Sequence, residues 1–235
     1  MAMNSAGEPE AAPTQNERSV AAVLDRLRAQ ILDRTLLPGE QIRQEDMARR
    51  LGISRVPLRE ALRVLTTEGL LTHRPHQGSF VATLNSADLR QIHTLLEFLE
   101  TELIRSVQWP DDEQLAELRS INATMADAAR VGDLAAVNRL NRTLHNRIFA
   151  LSPLEIYLNE AERFWTLSEP YRLLHVTSTD TTIATEQHEQ LIDALAARDR
   201  ALCLRVLSQH RQETQNAALA MLSTLEDSPA PRAVS

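Results

Sequence analysis

The chain has 235 residues, 43% hydrophobic and 24% charged, which suits one large or two small soluble domains. It holds no apolar run of bilayer-spanning length, and its single cysteine, Cys203, excludes an internal disulfide. A formal charge of −7 excludes indiscriminate nucleic-acid binding but leaves room for a local basic face.

The opening MAMNSAGEPEAAPTQNE lacks a basic region and an apolar stretch, so no secretory signal is expected and the chain reads as cytoplasmic. Residues 1–17 are expected to form a disordered tail. Ser19 is expected to cap a helix whose apolar stripe is Val20, Val23, Leu24, Leu27 and Ile31, stopped by Leu36-Leu-Pro-Gly-Glu40. A short helix near Gln44–Leu51 ends at Gly52. Ser54 then caps a second near Val56–Glu68, which ends at Gly69. The segment LLTHRPHQGSFVAT (70–83) reads as a small β-hairpin with its tip at His76-Gln77-Gly78. From residue 86 the pattern is helical, with expected helices near 87–107, 112–130, 134–151, 154–172, 182–197 and 200–224. The fold class is therefore mainly α: a winged helix-turn-helix (18–83: three helices and a small hairpin), then an all-α bundle of about six helices (84–225), then a flexible tail (226–235).

Charge follows this division. From Glu17 to Thr83, eleven Arg face eight acidic residues, a net of +3; from Leu84 on, fourteen Arg face twenty-two, a net of −8. Every basic residue is Arg, a fork-shaped cation suited to phosphate and guanine. A basic front and an acidic back imply two domains with different partners.

In the front region Ala61, Leu62 and Leu65 anchor the second helix and leave Ser54, Arg55, Pro57 and Arg59 at its leading end. Such a helix enters the major groove N-terminus first, with Arg55 suited to guanine O6/N7 and Ser54 and Arg59 to phosphate. Gln77 and Gly78 at the hairpin tip are expected to touch the minor groove or backbone beside it. Arg43 is a further candidate from the preceding helix region. The alternative is a helical hairpin whose arginines only solvate its surface.

In the back region, polar residues fall on apolar stripes. Asn141 and His145 align with Phe149, His188 with Leu191, Ile192 and Leu195, and His210 with Cys203, Val206 and Ala217. Burying each of them without a partner would cost roughly 1–3 kcal/mol. Either they satisfy one another as core residues, or they converge on a divalent cation, which imidazole nitrogens and an amide oxygen can ligate. His93 and His175, each alone, read as core residues, as does Cys203; Trp165 and Tyr171 could line the pocket, with packing as their default role.

The run LLPGEQIRQEDMARRLGISRVPLREALRVLTTEGLLTHRPHQGSFVA resembles the winged-helix domain of GntR-type bacterial transcription regulators, essentially without gaps over about 20–82. The resemblance implies operator contacts from Ser54, Arg55, Arg59 and Gly78. Val56 stands where Thr is commoner. More loosely, residues 88–222 are similar to the FCD-type ligand-binding domain of the FadR subfamily. There the resemblance implies a site for Zn²⁺, with Ni²⁺ or Mn²⁺ as alternatives, on Asn141, His145, His188 and His210, completed by a small carboxylate effector. Asn141 replaces the family's commoner Asp, so the site with its ion would carry one more positive charge. Leu96 replaces an Arg found in many relatives four residues before Glu100. Leu96, Glu100 and Arg142 are the expected effector contacts. The resulting expectation is a homodimeric, effector-responsive regulator, a repressor, that reads a pseudo-palindromic double-stranded operator. A metal-dependent enzyme fused to a nucleic-acid-binding module is the second reading; Glu189, beside His188, points about 100° away on a helix and supplies no base. A bundle serving dimerisation alone is the third.

Overall fold

The structure, a computed structural model, describes residues 15–172 and 178–227. Most of both tails and His175 lie outside these residues. The chain divides between Ala82 and Thr83 into two compact units.

In the first unit, α1 (Gln15–Leu32) packs against α3 (Arg55–Thr67). Val23, Leu27 and Ile31 recur one turn apart and are buried against the α3 stripe Leu58, Ala61, Leu62 and Leu65. Arg28 joins the two helices, with Nη2 donating to Glu68 Oε1 at 2.7 Å. The helix runs from Gln15, ahead of the start expected at Ser19. Between α2 (Gln44–Leu51) and α3 the chain turns at Gly52, whose φ of 68° is the left-handed conformation that favours glycine.

The hairpin forms as β2 (Leu71–Arg74) and β3 (Gly78–Val81), with Leu71 opposite Val81 and Arg74 opposite Gly78. A two-residue strand, β1 (Gln41–Ile42), adds to the other side of β3 and gives an antiparallel sheet of order β1-β3-β2. Sequence reading misses β1 because two residues carry no period.

The second unit is helical: α4 (Ser86–Arg105), α5 (Asp112–Arg130), α6 (Leu134–Phe149), α7 (Glu155–Arg172), α8 (Ser178–Ala196) and α9 (Arg200–Asp227). Their starts follow local chemistry. Asn85 with Asp88, and Asp111 with Gln114, form reciprocal capping boxes, and Asp133 caps α6. α8 begins one turn earlier than the spacing predicts. The core runs through Leu103, Ile104, Leu118, Leu144, Ile148, Ile192 and Leu195. α4 packs on α7 and α9, α5 on α6 and α8, and α8 on α9, which brings the inward faces of α6, α8 and α9 to one place. Among the described residues no helix is long and apolar enough to cross a membrane.

Candidate functional site

Burial of Leu58, Ala61, Leu62 and Leu65 fixes which face of α3 remains outside. Arg55, Arg59 and Arg63 recur every fourth residue on that face, with side chains 70%, 63% and 77% exposed. Arg63 was not among the residues expected from sequence, although the spacing from Arg59 carries its signal. Arg55 Nη2 donates to Glu45 Oε1 at 2.6 Å, from a helix one turn of chain away. Pro57 corrects the sequence reading: it is buried. Its place near the helix start suggested exposure, but the third helical position turns toward the core.

Ser54 occupies the cap position with extended backbone, yet its side chain makes no capping bond, contrary to expectation. Arg43 lies at the cap position of α2 and is exposed. At the hairpin tip Gln77 is exposed, and its carbonyl accepts from Gln41 Nε2 at 2.6 Å. Gly78 has φ of 96°, and a Cβ there would meet nothing closer than Gln41 Nε2 at 4.0 Å. Conformation, not crowding, calls for glycine at this position. Arg74 lies over the Phe80 ring, 4.4 Å from its centroid, and stiffens the hairpin.

The helical unit contains a second constellation, and this one is buried. His145 from α6, His188 from α8 and His210 from α9 are 1%, 1% and 7% exposed. His145 Nε2 lies 3.1 Å from His188 Nε2, which lies 3.3 Å from His210 Nε2. Ligand nitrogens on a tetrahedral zinc, at about 2.0–2.1 Å from the ion, stand about 3.3 Å apart. The single N–H that a neutral His188 could carry on Nε2 cannot serve both neighbours. The donor set therefore fits a cation drawing on three lone pairs. Asn141, one turn before His145, is buried on the same helix face. Cys203 is fully buried, and burial pushes its thiol up to about 11. Among the described residues, the cluster of ligating side chains comprises the three histidines without it.

A cavity of about 30 Å³ adjoins His145 and His210, walled by His93, Leu96, Glu100, Trp165 and Arg211 among others. Glu100 is the centre of its polar wall: Trp165 Nε1 donates to Oε1 at 2.7 Å and Arg211 Nη1 to Oε2 at 3.2 Å. Arg211 also approaches Glu97 at 3.5 Å. Leu96 and Glu100 thus line the cavity. Arg142 does not: its guanidinium is held by Glu169 and by Thr166 Oγ1 across the α6–α7 contact. Sequence reasoning missed Arg211; His93 is buried, as expected, and also lines this cavity. Arg211 follows His210 directly, and adjacent helical residues point about 100° apart, so only the packing of α4 on α9 brings it to this cavity.

Two family descriptions match the chain: "Bacterial regulatory proteins, gntR family" over residues 20–81 and "FCD domain" over residues 91–213. The chain is 31% identical to the Nta operon transcriptional regulator of Aminobacter aminovorans, over 75% of this chain and 83% of that one. It is 29% identical to the probable D-xylose utilization operon transcriptional repressor of Paenarthrobacter nicotinovorans, over 73% and 76%. Among solved structures it is similar to E. coli McbR/YncC, with a TM-score of 0.77 and 24% identity, covering 89% of this chain and 99% of that one.

Proposed function

We propose, from the premise that the chain belongs to the gntR family of bacterial regulatory proteins and carries an FCD domain, that it is an effector-controlled repressor acting as a homodimer on a pseudo-palindromic operator. The family makes it a transcriptional regulator and not an enzyme. Repression is carried over from the xylose-operon relative, whose name states it.

In this reading α3 lies in the major groove. Arg55 donates to guanine, Arg59, Arg63 and Ser54 meet phosphate, and the Gln77–Gly78 tip approaches the flanking backbone. Arg43 adds a phosphate contact. The dimer surface is the outer side of α4 and α7, where Leu95, Phe98 and Ile156 are 46%, 56% and 77% exposed and Phe98 packs on Tyr157 at 5.9 Å.

The observation that carries the sensor half is the convergence of three buried imidazole Nε2 atoms beside the Glu100–Arg211 cavity. His145, His188 and His210 would hold a divalent ion, Zn²⁺ first among candidates, with Asn141 as a neutral fourth ligand. When bound, the ion supplies a positive charge that attracts an anionic effector. Leu96 gives the effector an apolar neighbour in place of a cation, and Arg211 is already engaged by Glu97 and Glu100. That favours a monocarboxylate over a dicarboxylate. Effector and operator oppose each other through one coupling free energy, so each weakens the other's binding by the same factor.

The test is metal analysis of protein purified without chelator, alongside His188→Ala. About one ion per chain is expected in the wild type and a near-complete loss in the variant. Equal metal content in both would reject the site.

A further inference from the structure

Gln187 precedes His188 on α8, yet its side chain serves His210. It is 7% exposed, and its Oε1 lies 2.9 Å from His210 Nδ1. Its Nε2 donates to Glu213 Oε2 at 2.7 Å, and Gln209 Nε2 donates to Oε1 of the same carboxylate at 3.1 Å. Glu213 is exposed on α9, so the chain of bonds runs from the surface to a buried imidazole.

The direction of each bond follows from what each group can do. A carboxylate accepts and does not donate, so the Gln187 amide must turn its NH₂ toward Glu213. Its carbonyl then faces His210. A carbonyl also only accepts, so the N–H of a neutral His210 must sit on Nδ1. The lone pair is left on Nε2, the atom 3.3 Å from His188 Nε2.

We propose that Glu213 and Gln187 form a relay that locks His210 in the tautomer able to bind a divalent cation, which makes Gln187 a positioning residue of the metal site. The proposal rests on reading the three histidines as metal ligands. Partners of this kind, one bond beyond a ligating imidazole, typically change metal affinity by about 10–100-fold. Glu213 acts here only through Gln187: without a carboxylate to hold its NH₂, the amide can rotate and present a donor to His210 instead.

The experiment titrates the full chain with Co²⁺, followed by its visible absorption, for the wild type, His188→Ala, Gln187→Leu, Glu213→Ala and the double variant. In parallel, ¹⁵N spectra of metal-free, histidine-labelled protein report the His210 tautomer. Gln187→Leu should weaken Co²⁺ binding about 10–100-fold and shift His210 from the Nδ1–H form to a mixture. Glu213→Ala should cost less, and nothing further when Gln187 is already Leu. Unchanged affinity and tautomer in Gln187→Leu would overturn the relay. So would an undiminished effect of Glu213→Ala in the Leu background, since its charge would then act directly. If Gln187→Leu proves misfolded by circular dichroism, Glu213→Ala at the exposed end decides by the same tautomer readout. A wild type that binds Co²⁺ no better than His188→Ala would reject the metal reading, while the tautomer spectra would still judge the relay.

Discussion

The two units place function on opposite sides of their helices. In the first, α3 buries Leu58, Ala61, Leu62 and Leu65 and leaves Arg55, Arg59 and Arg63 outside, so the candidate DNA contacts are what the core does not use. In the second, His145, His188 and His210 share the inward faces with Leu144, Ile192 and Val206, so the candidate sensor is part of the core. The difference has an energetic reason. A solvated arginine costs little to keep and reaches a partner directly, whereas a buried imidazole must be satisfied within the protein or by a ligand. An exposed site can be altered without disturbing the fold, while a buried one ties ligand binding to packing and hence to conformation.

Three substitutions press on this contrast. Phe98→Asp challenges it most, since it makes an exposed residue of the helical unit carry function. If α4 and α7 form the dimer surface, sedimentation should show monomer, and operator affinity should fall by about 100-fold or more as two-site avidity is lost. A variant that remains dimeric would move the interface elsewhere. Arg55→Ala sharpens the contrast: operator binding in a gel shift should weaken by about 1–3 kcal/mol, with metal content unchanged. An unaltered shift would remove Arg55 from base readout. The smallest effect is expected from Asn141→Asp, which should tighten Co²⁺ by about tenfold, roughly 1.4 kcal/mol, if the side chain is a ligand. Operator affinity without effector should stay the same. Unchanged Co²⁺ binding would leave a three-histidine site.

The first unit was largely legible because its signals are local. Gly52 marks the turn, the 3.6 period marks the two faces of α3, and the Pro75–Gly78 run marks the hairpin. The errors came from treating position along the helix as a guide to exposure, as with Pro57, and from β1, which exists only because β3 offers it an edge. In the second unit the three histidines could be chosen from their stripes. Their surroundings could not, because Gln187 turns to His210 on another helix, and Arg211 and His93 reach the adjoining cavity only through helix packing.

The sequence by itself determined most of the helices, the mainly α class with its winged head, and which polar residues face inward. These depend on periodicity and on chemistry within four residues, both written along the chain. Only the tertiary structure decided that Arg211 rather than Arg142 lines the cavity, and that Gln187 turns to His210 instead of standing beside His188. Those choices depend on the azimuth at which α4, α7, α8 and α9 pack. Interdigitation of whole helix faces sets that azimuth, and no short segment encodes it.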